Sequence, residues 1–128
     1  MMSQPYDQNR VPPIPVIDVW LVIPDNNDWH GPYTAIIDSG ADLTIVPLGL
    51  LRQFQAPYLR RAVLRSQWKE RQVVFLHEVD VRIGDLLLPA IDVAGDDFSQ
   101  DVLLGRNVLN RLDLRLDGPK MRTFLLGV

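Results

Sequence analysis

Residues 35–46 read AIIDSGADLTIV and place an ionisable side chain, Asp38, directly after an apolar run that is typical of a buried strand. A carboxylate in such a position must be paired, hydrogen-bonded or partly protonated, and perturbed acids of this kind concentrate at functional sites. Gly40 permits a tight approach of the backbone, and the hydroxyl of Ser39 can bond to a neighbouring main chain. We therefore expect a turn that carries a functional carboxylate between two buried strands.

The rest of the chain predicts a mostly β domain. Its apolar stretches are short, alternate with polar residues and are separated by Gly, Pro, Asn and Asp. We predict strands at 16–23, 33–37, 43–46, 61–65, 72–81, 86–93, 102–104 and 123–126, a connector at 48–58 and a helical turn at 107–112. Residues 1–15, rich in Gln, Asn and Pro, are predicted to be a flexible or extended arm, and residues 16–128 the folded domain. The fold class is all-β, a barrel or a sandwich.

Composition argues against several classes of function. The chain has 128 residues, of which 47% are hydrophobic and 23% charged, and its formal net charge is −3 with the Lys and Arg scattered. This distribution argues against nucleic acid as a partner. The chain contains no cysteine, which excludes disulfides and thiol catalysis. No signal peptide and no apolar run long enough to span a membrane is visible, so we expect a soluble, cytoplasmic protein without a membrane partner.

A second motif follows towards the C-terminus. Residues 102–109 read VLLGRNVL, an apolar run that ends at Gly105 and continues as Arg106-Asn107 and a short helix. Together with the Asp-Ser-Gly-Ala core at 38–41, this segment resembles the retropepsins, which are single-lobe aspartic peptidases. The resemblance extends from about residue 16 to the end of the chain. It implies a retropepsin-like acid-protease β-barrel with one short C-terminal helix, completed as a homodimer in which the terminal strands interleave.

The resemblance implies an aspartic endopeptidase that hydrolyses the peptide bonds of a polypeptide substrate. The chain carries one Asp-Ser-Gly motif, so the second carboxylate would come from Asp38 of another copy. Two like charges at hydrogen-bonding distance cannot both ionise easily, so the pair would hold one proton between them. The ionised carboxylate would activate a water and the protonated one would donate to the substrate. Neither a metal nor another cofactor is implied.

The same resemblance assigns roles to further residues. The active-site loop would include Ser39, Gly40 and Ala41, and the substrate would contact Asp42, Leu103 and Trp68. A structural pairing would involve Asp42, Arg106 and Gly105. We predict a contact between the side chains of Asp42 and Arg106. Trp68 lies near the turn of the hairpin that would form the flap, the lid over the cleft. There it either covers the cleft or packs on the barrel.

Two departures from the retropepsin pattern leave a second function open. The predicted flap has no glycine between Gly49 and Gly84, and Leu43 stands where retroviral enzymes commonly repeat an acid. The alternative is a dimeric peptide-binding or assembly module that keeps the fold without cutting. A metal site is not expected, because His30 and His77 are far apart in sequence and have no cysteines or ligand-spaced carboxylates near them.

Overall fold

The structure, a computed structural model, describes residues 2–25, 27–65 and 70–128. Its ten strands and two helices follow in chain order: β1 (Met2–Pro5), β2 (Val16–Val22), β3 (Trp29–Ile37), β4 (Thr44–Pro47), α1 (Leu48–Gln53), β5 (Tyr58–Arg65), β6 (Arg71–Ile83), β7 (Leu86–Asp96), β8 (Val102–Leu104), α2 (Arg106–Leu109), β9 (Asp113–Asp117) and β10 (Arg122–Gly127). Strands dominate, which confirms the all-β class predicted from the sequence.

Six strands close a barrel in the order β2-β3-β8-β4-β7-β6, with β2 pairing back onto β6. β5 continues the sheet outward from β6. Alternation along the strands fills the interior: Ile17, Val19 and Leu21 of β2 are each at most 1% exposed, as are Val79 and Val81 of β6. Each such side chain contributes roughly 1.5–3 kcal/mol when fully buried, so the barrel interior is the main source of stability.

The position of β8 determines the course of the loop that carries Asp38. β8 pairs in parallel with β3, matching Ile37 to Leu104, and antiparallel with β4, matching Ile45 to Leu103. It therefore lies between two strands that are consecutive in the chain. Loop 38–43, which joins β3 to β4, must cross the end of β8 to reach its next strand.

A second, three-stranded sheet has the order β1-β10-β9 and contains both chain ends. β1 pairs antiparallel with β10 from Met2 opposite Leu125 to Pro5 opposite Arg122. The side chain of Gln4 ties β1 to the barrel, since its Nε2 donates to Asp18 Oδ1 at 2.9 Å and its Oε1 accepts from Asp18 N at 2.6 Å. The predicted N-terminal arm thus contains a strand. That the terminal strands of two copies interleave in a homodimer stays a prediction.

The helical segments differ in detail from the sequence prediction. α1 lies in the predicted connector. α2 ends at Leu109, whereas the prediction extended to residue 112. The chain beyond it continues in tighter turns, because the N–H of Leu112 donates to the carbonyl of Leu109, three residues back, at 3.1 Å. In the described ranges of the chain, no helix is long and apolar enough to cross a membrane.

Candidate active site

Asp38 lies where β3 ends beside the end of β8. Its N–H donates to the carbonyl of Leu104 at 3.1 Å, continuing the parallel ladder one residue beyond the strand. The residue before it is held from the other side, because the N–H of Ile37 donates to the carbonyl of Pro15 at 3.1 Å. The backbone that carries the half-buried Asp38 is therefore fixed by two neighbouring segments.

The turn after Asp38 orients its carboxylate. The N–H of Gly40 donates to Asp38 Oδ1 at 3.0 Å, and the N–H of Ala41 donates to the Asp38 carbonyl at 3.2 Å. A Cβ placed on Gly40 would stand 3.2 Å from Asp38 Oδ1, which is tighter than most such contacts. Glycine therefore leaves room for the carboxylate in the orientation that the turn imposes.

Arg106, the first residue of α2, joins the turn to the segment after β8. Its N–H donates to the carbonyl of Ala41 at 2.8 Å, and its Nη1 donates to the carbonyl of Ser39 at 2.9 Å. Its Nη2 donates to the carboxylate of Asp42, which is the contact expected from the sequence. The side chains of Asp42 and Arg106 are 71% and 43% exposed, so this ion pair adds at most about 1 kcal/mol of stability. Its main effect is to hold the shape of the turn.

Gly105 packs directly against the loop that crosses above it. A Cβ at this position would lie 2.3 Å from the carbonyl carbon of Leu43 and 2.4 Å from its oxygen. The N–H of Gly105 donates to Thr44 Oγ1 at 3.1 Å. Gly105 is therefore needed for close backbone approach, since its φ of −88° is open to any residue.

Thr44 and Asn107 form a buried polar link that was not singled out in the sequence. Asn107 Oδ1 accepts from both the N–H and the hydroxyl of Thr44, each at 2.9 Å, while its Nδ2 donates to the carbonyl of Asp92 at 2.8 Å. Thr44 is 0% exposed, so these bonds replace those that water would make. The only available signal was the position of Asn107 directly after Gly105-Arg106.

A cleft of about 720 Å³ opens beside the turn that follows Asp38. It is bordered by the active-site turn, by both arms of the β5–β6 hairpin and by one aromatic ring: Asp38, Gly40, Ala41, Asp42, Leu43, Ile45, Leu64, Glu70, Arg71, Gln72 and Phe98. Phe98, in the loop between β7 and β8, is 87% exposed. The lining combines two carboxylates of the turn, those of Asp38 and Asp42, with apolar side chains and with the polar residues at the start of β6, which suits an extended peptide chain.

Comparison with known proteins was made by sequence and by structure. No protein-family model matches the chain, and no curated protein matches it by sequence. A retropepsin-like aspartic protease from Rickettsia conorii matches with a TM-score of 0.65 at 17% identity, over 97% of this chain and 88% of that chain. The fold is retropepsin-like. The retroviral protease-like domain of Ddi1 from Leishmania major matches with a TM-score of 0.54 at 19% identity, over 90% of this chain and 91% of that chain. At these identities the likeness establishes the fold alone.

On this retropepsin-like frame, four of the residues predicted from the sequence border the cleft: Asp38, Gly40, Ala41 and Asp42. Ser39 is exposed in the turn, and its carbonyl accepts from Arg106. Leu103 is half-buried on β8 between Ile36 and Ile45, outside the set that lines the cleft, so its contact with substrate stays a prediction. Trp68 lies outside the described residues.

The two histidines of the retropepsin-like chain are packed into the protein. His77 is 7% exposed, and burial lowers its pKa from the usual 6.5, with the charge of Arg52 acting in the same direction and a hydrogen bond to the Phe75 carbonyl acting against it. His30 stacks on Phe54 with ring centroids 3.9 Å apart. Within residues 2–25, 27–65 and 70–128, no group of three or more His, Asp or Glu side chains is arranged to hold a metal ion.

Proposed function

We propose that the chain is an aspartic endopeptidase that works as a homodimer, with one Asp38 from each copy. One observation carries the proposal. The only Asp-Ser-Gly turn in the sequence holds its carboxylate beside a cleft, oriented by the N–H of Gly40 at 3.0 Å. A carboxylate fixed in this way is prepared for chemistry, because little reorganisation is needed when charge develops.

The requirement for two copies follows from the count of carboxylates. Peptide hydrolysis by this chemistry needs one carboxylate to take a proton from water and a second acid to donate to the carbonyl oxygen. One lobe supplies one Asp38. A twofold axis beside the turn would place Asp38 opposite its own symmetry mate and would double the cleft, so that an extended substrate crosses both halves.

The proposed reaction uses the proton shared by the two carboxylates. Because two negative charges in contact repel each other, the pair holds a single proton in its working state. The ionised member accepts a proton from water as the oxygen attacks the peptide carbon, and the protonated member donates to the carbonyl oxygen. When the tetrahedral intermediate collapses, the protonated carboxyl donates to the leaving nitrogen and the C–N bond breaks. A hydroxyl of the intermediate gives its proton to the dyad as the carbonyl forms, so the dyad again holds one proton.

The β5–β6 hairpin supports a role as the flap. Leu64 and Gln72, paired across the two strands, both border the cleft, and Glu70 and Arg71 follow on the same border. A lid in this place would exclude water and press the substrate onto the active-site turn. The tip of the hairpin, including Trp68, lies outside the described residues.

Cleavage of a diverse peptide library tests the proposal. The full chain is incubated with the library across pH, beside Asp38→Asn, which removes the acid without changing its size, and Asp85→Asn, which makes the same change in the exposed turn between β6 and β7. We expect cleavage by the wild type and by Asp85→Asn, none by Asp38→Asn, and inhibition by a hydroxyl-containing mimic of the hydrated carbonyl. Peptide binding that is equal in all three proteins, without cleavage, would instead identify a binding or assembly module.

A further inference from the structure

One wall of the cleft is a loop with few apolar contacts to hold it. Phe98 borders the cleft, yet its side chain is 87% exposed, so packing does not fix its position. The loop, residues 97–101, joins β7 to β8 and is rich in acids, with Asp96 just before it, Asp97 in it and Asp101 at its end. These like charges repel one another and favour an open loop unless a cation lies among them.

Local hydrogen bonds give the loop its shape. The N–H of Phe98 donates to Asp96 Oδ1 at 2.9 Å. Ser99 Oγ accepts from the N–H of Asp101 at 3.0 Å and lies 3.2 Å from the Asp101 carbonyl, to which its hydroxyl donates. These bonds set the curvature of the turn, but both partners of each lie within residues 96–101. They do not by themselves fix where the turn stands relative to the cleft. A loop that is free to move opens such bonds more often, so the amides of Phe98 and Asp101 report how firmly the loop is held.

Arg10 supplies a link from outside the loop. Its Nη2 donates to Asp101 Oδ2 at 2.9 Å, joining residues 91 positions apart, and its Nε lies 3.7 Å from Asp7 Oδ2. The segment that carries Arg10 is itself braced, because Asp7 and Ile14 exchange backbone hydrogen bonds at 2.9 and 3.1 Å. Arg10 is therefore a cation fixed on the N-terminal arm and bonded to the acidic loop.

We propose that Arg10 is a positioning residue for the cleft: through Asp101 it holds the loop 97–101 so that Phe98 forms an apolar wall against the substrate. The N-terminal arm then contributes to substrate affinity as well as to the terminal sheet. The inference about affinity rests on the proposed peptidase function, whereas the restraint on the loop does not. Because Arg10 and Asp101 are 45% and 42% exposed, the restraint is weakened by salt.

Four variants of the full chain test the proposal: Arg10→Gln, Phe98→Ala, the double variant that combines them, and the charge exchange Arg10→Asp with Asp101→Arg. Lys120→Gln, which removes one positive charge in the exposed turn between β9 and β10, is the matched control. Two quantities are measured. One is the steady-state KM and kcat for a peptide found by library cleavage, at low and high salt. The other is amide hydrogen exchange at Phe98 and Asp101.

For Arg10→Gln we expect faster amide exchange at both positions and a rise in KM of roughly two- to fivefold, the range set by loss of an exposed ion pair, with kcat unchanged. High salt should raise the wild-type KM towards the same value. Arg10→Gln should add nothing to Phe98→Ala, because both remove the same wall. The charge exchange should bring amide exchange and KM part of the way back to the wild-type values, because the acid at position 10 also lies beside Asp7. Lys120→Gln should change neither.

Unchanged amide exchange in Arg10→Gln would overturn the restraint on the loop, whether or not the chain cuts peptides. Faster exchange with an unchanged KM, or effects of Arg10→Gln and Phe98→Ala that simply add, would overturn its contribution to substrate affinity. If the wild type cuts no peptide, the peptidase proposal and the affinity fail together. The restraint is then supported if amide exchange is faster in Arg10→Gln and slower again in the variant with exchanged charges. It is overturned if Arg10→Gln leaves amide exchange unchanged.

Discussion

Gly105→Ala probes the packing that holds the active-site turn. In the retropepsin-like fold this glycine lies under the loop that joins β3 to β4, and a Cβ there would stand 2.3 Å from Leu43 C, 2.4 Å from Leu43 O and 2.8 Å from Thr44 N. All three atoms belong to backbone, so rotation of a side chain cannot relieve the overlap. Reaching ordinary contact at 3.4 Å requires the two segments to separate by about 1 Å.

The expected loss of stability is large for one methyl group. Overpacking of a well-packed site costs roughly 1–3 kcal/mol, and the upper end applies because backbone must move. The separation would also stretch the bond from the Gly105 N–H to Thr44 Oγ1, which contributes about 1 kcal/mol. We therefore expect Gly105→Ala to lower the free energy of unfolding by about 3 kcal/mol and to remove peptide cleavage, because Asp38 is carried by the displaced loop.

Urea unfolding followed by tryptophan fluorescence measures this loss. With a slope of about 2 kcal/mol per molar urea, the midpoint should fall by about 1.5 M. The matched control is Gly49→Ala in α1, where a Cβ meets nothing within 4 Å. Alanine favours helix over glycine, so this variant should gain up to about 1 kcal/mol. The packing argument would be refuted if the free energy of unfolding of Gly105→Ala lay within about 0.5 kcal/mol of the wild-type value and peptide cleavage were intact.

Three further predictions concern other parts of the structure. Asn107→Ala should lower the free energy of unfolding by about 3 kcal/mol in urea titrations, because both donors of the buried Thr44 lose their acceptor; a loss below about 1 kcal/mol would mean that water replaces it. Arg106→Lys should keep stability within about 1 kcal/mol of wild type but lower the cleavage rate several-fold, since one ammonium cannot replace the two-pronged contact with the turn; a normal rate would contradict this. His77 has a lowered pKa in the fold, so the unfolded chain binds its proton more readily and stability should fall as pH drops below about 6.5. His77→Gln should flatten that fall between about pH 7 and 5, and equal slopes in the two proteins would show that His77 is not its source.

The turn that borders the cleft could be predicted because its residues are close in sequence. Asp38, Gly40, Ala41 and Asp42 lie on one turn, and a turn between two apolar strands is a local feature. The contact from Asp42 to Arg106 joins distant residues, and it was predicted by resemblance rather than from local pattern. The structure adds the physical reason: β8 lies between β3 and β4, which places the two motifs against each other.

Other features gave no local signal. Phe98 is a single aromatic residue in a polar loop, and no periodicity marks it as part of a cleft wall. The hydrogen bond from Arg10 to Asp101 joins two exposed charged residues that are 91 positions apart. Nothing in the sequence distinguishes these two residues from other charged surface residues. β9 was missed because three of its five residues are charged, although Leu114 and Leu116 alternate with them. Its pairing with β10 stabilises a strand whose own β propensity is low.

Subunit mixing tests the central claim most directly. A fixed amount of wild-type protein is equilibrated with an equal amount of Asp38→Asn, and peptide cleavage is compared with the same mixture made with Asp85→Asn. If each active site needs one Asp38 from each of two copies, random pairing leaves about half of the wild-type subunits in competent dimers, and cleavage falls to about half of its starting value. Cleavage that stays at its starting value in the Asp38→Asn mixture, once exchange of subunits has been verified, would contradict a site shared between two copies.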